Sequence, residues 1–327
     1  MVRLLKVHGS ENQFFILDQT ELNQSLSQNE LSQLAQDLTD PVHHVLGGAD
    51  GLLVVDHADD QSALGQMKVF NADGSQASMC GNGLRNVARY LSEKKRQDHF
   101  RIEVSGHDLS VSRKPDLATG VPAFSVEISP VSFNRQALPF TNLGTDKILN
   151  QTVPKLDSGL KFTAIALPNP HLIGFVTKQA DFKKLGPLGK WLNGQNPYFT
   201  DGVNVSFVKI LGHNQLFVKT YERGVGFTNA CGTGMSAASL ASLLANPNVL
   251  DYDHLITVKN PGGMVQTIVH HRNGKYWVNL IGNATFTHVV STSKDHLHHG
   301  DVSGDNVQIK STGEEEAYQK FVRQLKN

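Results

Sequence analysis

Short runs with the β-branched and aromatic content of strands recur along the chain. They are FFILD (14–18), GLLVVD (51–56), RIEVSG (101–106), AFSVEIS (123–129), FTAIAL (162–167), VNVSFVKI (203–210), LFVKTY (216–221), LITVKN (255–260), YWVNLIG (276–282) and FTHVV (286–290). Helical spacing is rarer. Leu31, Leu34, Ala35 and Leu38 share a face behind a Ser27 to Glu30 capping box. Leu84, Val87, Ala88 and Leu91 form a second stripe, and Ala237, Ala238, Leu240, Ala241 and Leu244 a third. At the end of the chain, GEEEAYQKFVRQLKN puts Tyr318, Phe321, Val322 and Leu325 on one face, with an acidic start and a basic end that suit the helix dipole. The stretch before it, STSKDHLHHGDVSGDN, reads as a polar linker. Its His296, His298 and His299 have no second cysteine or histidine cluster with metal-ligand spacing, so no metal is expected. The pattern predicts an α+β, strand-rich protein.

Two stretches repeat. A gapless overlay aligns KVFNADGSQASMCGNG (68–83) with KTYERGVGFTNACGTG (219–234), placing Lys68 on Lys219, Phe70 on Tyr221, Cys80 on Cys231, Gly81 on Gly232 and Gly83 on Gly234. Each half reads strand, irregular loop, Cys-Gly-x-Gly, helix. Such a duplication predicts two pseudo-symmetric domains, each with a central helix, and an active site in the cleft between them. The expected first domain takes residues 1–130 and about 285–295, and the second takes 131–284. Residues 296–327 remain as polar linker and amphipathic helix.

At 327 residues the chain is long enough for two cores. Hydrophobic residues make up 39% and charged residues 18%, the balance of a soluble globular protein. Thirty basic residues offset thirty acidic ones, which leaves no basic surplus for nucleic acid. The start, MVRLLKVHGSENQFFILDQT, lacks the apolar run of a signal peptide, and no stretch approaches the roughly 18 apolar residues of a membrane span. A cytoplasmic protein without a membrane partner is the expectation. In a reducing compartment the only two cysteines, Cys80 and Cys231, are either buried thiols or reactive ones.

A thiol beside glycines at a helix start lies where free backbone N–H groups and the dipole favour negative charge, which eases its ionisation. The same N–H groups can hold a carboxylate. Two such sites could grip one carboxylate, with a thiolate taking a proton from one face of the adjoining carbon and a thiol returning one to the other. That inverts a stereocentre. In this arrangement the chain resembles the diaminopimelate epimerases over roughly residues 5–290, through FNADGSQASMCGNGLR (70–85), PNPH (168–171), GVNV (202–205) and YERGVGFTNACGTG (221–234).

The resemblance implies conversion of L,L- to meso-diaminopimelate, a step toward lysine and peptidoglycan, with no cofactor and in particular no pyridoxal phosphate. It makes Cys80 and Cys231 the acid–base pair. Gly81, Asn82, Gly232 and Thr233 become backbone donors to the reacting carboxylate. Asn12, Asn71, Asn169, Asn204, Glu222 and Arg223 contact the substrate, the guanidinium holding the distal carboxylate. His171 and Glu222 tune the sulfurs, and a homodimer is the implied assembly. The family's usual glutamate four residues before each cysteine is Gln76 in the first half and Phe227 in the second, and Gly51 replaces a glutamine found in some members. The bulk of Phe227 is the departure able to reshape the loop or the pocket. The alternative reading is a cofactor-independent racemase or epimerase of another amino acid, histidine or a proline derivative. A thiol redox protein would need a Cys-x-x-Cys, which is missing.

Overall fold

The structure, a computed structural model, describes residues 1–42 and 45–326. The chain forms two compact units, Met1–Val126 with Ile281–Asn327, and Glu127–Leu280.

The first unit begins with β1 (Val2–Gly9) and β2 (Asn12–Asp18), followed by α1 (Gln28–Thr39), β3 (Gly51–Asp56), β4 (Gln66–Asn71) and the short β5 (Gln76–Ala77). Next come α2 (Gly81–Lys95), β6 (His99–Val104), β7 (His107–Ala118) and β8 (Val121–Ile128), the last of which runs across the boundary. The β1–β2 pair is antiparallel, β2–β3 parallel, β3–β4 antiparallel and β4–β6 parallel. Helix α2 packs against β1, β2, β3, β4 and β7 and is the unit's central helix. Helix α1 covers β3 and β4. Its capping box forms as the sequence predicts: Ser27 N–H donates to Glu30 Oε2 at 2.7 Å, and Glu30 N–H to Ser27 Oγ at 3.3 Å. Leu31, Leu34, Ala35 and Leu38 are buried with Phe15, Leu17, Leu52 and Val54.

The second unit repeats this order. After β9 (Gln151–Val153) come β10 (Asp157–Leu167), β11 (Asn169–Phe175), α3 (Leu185–Leu192), β12 (Asn204–Gly212), β13 (Gln215–Glu222), β14 (Gly226–Thr228), α4 (Gly232–Ala245), β15 (Leu255–Asn260), β16 (Gly263–Arg272) and β17 (Lys275–Asn283). The β10–β11 pair is antiparallel, β11–β12 parallel, β12–β13 antiparallel and β13–β15 parallel, the pattern of β1 to β6 again. Helix α4 packs against β10, β11, β12, β13, β15 and β16. It is buried from Gly232 to Leu243, and two of its serines bond within the helix: Ser236 Oγ donates to Gly232 O and Ser239 Oγ to Met235 O, both at 2.9 Å.

The chain re-enters the first unit with β18 (Thr285–Thr292), which lies antiparallel to β1. Where the sequence reads as a solvated linker, the structure has α5 (Lys294–His298) and β19 (Gln308–Ser311), the latter paired with β18. The apolar residues Leu297 and Val302, hidden among polar neighbours in the sequence, are buried in the α1 core. His296 pairs with Asp301 at 3.2 Å and His298 with Glu30 at 2.9 Å. The terminal helix α6 (Glu314–Lys326) packs on β18. No helix among the described residues is long and apolar enough to cross a membrane.

Candidate active site

In the first unit Cys80 is the N-cap of α2, in an extended conformation, and its Sγ accepts from Gly83 N–H at 3.3 Å. The first helical hydrogen bond runs from Leu84 N–H to Cys80 O at 2.8 Å. The N–H groups of Gly81 and Asn82 come before this first helical bond, at the N-terminal end of the helix ladder. Glycine at 83 is required by contact, because a Cβ there would lie 2.6 Å from Leu53 Cδ2.

Asn12 reaches this helix end from the β1–β2 turn, whose Ser10 and Glu11 both have positive φ, 55° and 66°. Two left-handed residues suit the twist of a two-residue hairpin. Ser10 N–H donates to the buried Asn283 Oδ1 at 2.8 Å, which fixes the turn. Asn12 Nδ2 donates to Asp50 Oδ2 at 2.8 Å, and Asn12 Oδ1 accepts from Asn82 Nδ2 at 3.1 Å and lies 4.0 Å from Cys80 Sγ. Asn12, Cys80, Gly81 and Asn82 therefore form one cluster. Asn71 is exposed and turns its amide to Ser75 Oγ at 3.0 Å. Gln76 is exposed and bonds Gln28. At Gly51 any Cβ would lie 2.5 Å from Phe70 O, so this backbone has no room for a side chain here.

In the second unit Cys231 caps α4 in the same way, accepting from Gly234 N–H at 3.3 Å, and it is 5% exposed. Thr233 Oγ1 lies 3.7 Å from its sulfur. A Cβ on Gly234 would fall 2.9 Å from Ser206 Oγ, itself bonded to Thr220 Oγ1 at 2.8 Å. Burial pushes the Cys231 thiol well above its ordinary range, and the Glu222 carboxylate, which accepts a hydrogen bond from it, pushes it further. Glu222 is fixed from behind by Thr228 Oγ1 at 2.5 Å.

Asn204 ties the rest together. Its Nδ2 donates to Pro170 O at 3.2 Å and its Oδ1 accepts from Arg223 N–H at 2.9 Å. The Arg223 guanidinium is exposed and donates to Asp201 O at 3.3 Å. His171 is fully buried with Nε2 donating to Asn169 Oδ1 at 2.9 Å, and its Nδ1 has no hydrogen-bond partner among the described residues. Burial, and then the nearby Arg223 charge, lowers it to about 3, so it is neutral at physiological pH. Phe227, the departure whose bulk could reshape the loop or the pocket, lies half-exposed over Lys219 Nζ (4.5 Å to the ring centroid) and edge-on to Tyr221.

The sequence reading missed Arg85, which is wholly buried behind the Cys80 cluster. The one signal in the sequence was its place beside the apolar stripe of α2.

The sequence matches the pattern of the family described as diaminopimelate epimerase over residues 4–126 and 163–287. A diaminopimelate epimerase from Ligilactobacillus salivarius is 51% identical, with 99% of each chain covered. Another, from Lactiplantibacillus plantarum, is 49% identical over 99% of this chain and 98% of its own. Among solved structures, a Bacillus anthracis phenazine biosynthesis protein of the PhzF family shares the fold, with a TM-score of 0.64 at 13% identity over 87% of this chain and 96% of that one. Sequence and architecture agree, and this chain belongs to the diaminopimelate epimerase family.

Proposed function

We propose that the protein interconverts L,L- and meso-diaminopimelate by two-base proton transfer through Cys80 and Cys231, without a cofactor. The observation that carries this reading is the duplicated cap: each cysteine is the N-cap of its unit's central helix and accepts from the third amide of that helix. The N–H groups of Gly81, Asn82, Gly232 and Thr233 would hold the reacting carboxylate and the charge that spreads onto it when the α-proton leaves. One sulfur, as thiolate, takes that proton and becomes a thiol. The other, a thiol, gives its proton to the opposite face and becomes a thiolate.

Asn12, Asn71, Asn169 and Asn204 offer amide donors and acceptors to the amino acid groups, and Arg223 offers a bidentate partner for the distal carboxylate. Glu222 keeps Cys231 protonated, and His171, neutral, presents a lone pair rather than a charge. The free thiols suit a reducing cytoplasm.

The test is incubation with L,L-diaminopimelate in D2O without pyridoxal phosphate. Meso product carrying α-deuterium is expected, and neither should appear with Cys80→Ala or Cys231→Ala. Full turnover by either variant, or faster racemisation of a mono-carboxylate amino acid such as histidine or proline, would overturn the reading.

A further inference from the structure

The duplication is faithful in backbone and unfaithful in charge. Under the overlay of Cys80 on Cys231, Asn71 stands where the second unit has Glu222, and Arg85 stands where it has Ser236. Both differences bear on the sulfurs. Cys231 hydrogen-bonds a carboxylate. Ser236, one turn along α4, is neutral and spends its hydroxyl on Gly232 O at 2.9 Å.

Arg85 is 0% exposed. Its Nε donates to Asn283 O at 3.1 Å, while Nη1 and Nη2 have no hydrogen-bond partner among the described residues. The guanidinium lies under the β1–β2 turn that carries Asn12: a Cβ on Gly9 would be 2.7 Å from Nη2 and 3.1 Å from Asn82 Cβ, and one on Gly282 would be 2.9 Å from Cζ. Arg89, one turn further along α2, is by contrast held by Glu93 at 2.7 Å and by both oxygens of Glu314. Burial lowers Arg85 only to about 10, so it stays charged at neutral pH.

A buried cation with no ion-pair partner is expensive, and beside the positive end of a helix dipole it is more so. The ionisable groups that act most strongly on it are Tyr318 of α6 and Cys80. Tyr318 is driven away from ionisation by its own burial and by Glu11, and it hydrogen-bonds Ser10. The surrounding charges are engaged elsewhere. His8 of β1 pairs with Glu315 at 2.9 Å, and Gln319 donates to Glu11 at 3.4 Å. Asp50 accepts from Asn12 and from Gln13 N–H, and Lys6 donates to Leu46 O and Gly48 O. The anion left to form against Arg85 is the Cys80 thiolate.

We propose that Arg85 is a positioning residue whose buried charge makes Cys80 the thiolate of the resting pair, while the Glu222 carboxylate keeps Cys231 as the thiol. This rests on the two-cysteine reading above. Resting enzyme would then be ready for the stereoisomer whose α-proton faces Cys80. After that turnover Cys80 carries the proton and Cys231 is the thiolate. The resting state returns when Cys80 releases a proton to water and Cys231 takes one up.

The titration needs no substrate. In Cys231→Ser protein, Cys80 is titrated by ultraviolet thiolate absorbance and by its iodoacetamide rate against pH. With Arg85 present the midpoint should fall below the ordinary cysteine value of about 8.5. Arg85→Met should raise it and slow alkylation at pH 7 by about tenfold, the equivalent of one unit, with Arg85→Lys restoring part. Cys231, probed in Cys80→Ser protein, should keep its profile when Arg85 is changed. A midpoint at or above the ordinary value in protein that retains Arg85 would overturn the proposal even if the Arg85 variants fail to fold. So would an unchanged profile in Arg85→Met, or an equal change at both sulfurs. A shifted Cys80 titration together with no deuterium uptake would instead sink the two-cysteine chemistry and leave Arg85's effect standing.

Discussion

Arg223 and Asn204 show how one polar side chain prepares another. Asn204 holds the Arg223 amide at 2.9 Å, and the guanidinium stays exposed with one backbone acceptor, Asp201 O. A carboxylate would gain a fork of donors at little cost in broken bonds. Arg223→Ala is therefore expected to lower kcat/KM for diaminopimelate at least about tenfold, with Arg223→Lys recovering only part, because an ammonium cannot bind bidentately. Steady-state kinetics check this. His171 makes a different prediction. Its folded value of about 3 lies below the ordinary 6.5, so the unfolded chain takes up the proton first. Its contribution to stability is complete above pH 6.5 and shrinks as pH falls toward 3, by about 2 kcal/mol at pH 5. His171→Gln, which can still donate to Asn169, should flatten that slope in urea unfolding at pH 7 and pH 5. The two cysteines, Asn-Pro-His and Glu-Arg-Gly could be read from the sequence because their spacing survives in the linear chain. Arg85 could not, since an arginine on a helix normally reads as solvent-facing and only packing reveals that this one is enclosed.

The helix ends are built to tight tolerances. A methyl at Gly83 would meet Leu53 at 2.6 Å, and one at Gly234 would meet Ser206 at 2.9 Å. Either alanine should destabilise the protein by about 1 to 3 kcal/mol, as overpacking does, and should impair turnover by shifting the sulfur that caps that turn. Thermal melts paired with kinetics check this. Helices α1, α2 and α4 were legible because capping residues and apolar stripes coincide. Helix α3 was not, because LGPLGKWL carries two glycines and a proline. It forms because Gly189 lets Tyr221 lie where a Cβ would be 2.4 Å from its Cγ. Strand β7, HDLSVSRKPDLA, is mostly polar and contains a proline, and its pairing with β6 and β8 overrides that local content.

On the scale of the molecule, the internal repeat was legible from one gapless overlay, and strand pairings copied in the same order carry it through. The role of the tail was hidden. Four apolar residues on a helix say that it docks, and polar composition conceals Leu297 and Val302, which finish the core under α1. Arg89 grips both oxygens of Glu314, at 2.5 Å and 2.7 Å, and Tyr318 is 1% exposed. Ending the chain at Ser293 should therefore remove at least about 5 kcal/mol, comparable with the whole net stability of a domain. The truncated protein is expected to aggregate or to lose its cooperative melt, measured by circular dichroism and sedimentation.

The sulfur caps have a consequence for how this enzyme can change over generations. In many enzymes the reactive residue is a burden on the fold, and removing it yields a dead but sturdier protein. Here the atom proposed to carry the proton also closes the first turn of its helix. Alanine at 80 or 231 should lower the melting temperature along with activity, since losing an N-cap acceptor costs about 0.5 to 2 kcal/mol. Selection for endurance and selection for turnover then favour the same atom at both positions, and a lineage under heat stress has nothing to gain by abandoning either cysteine.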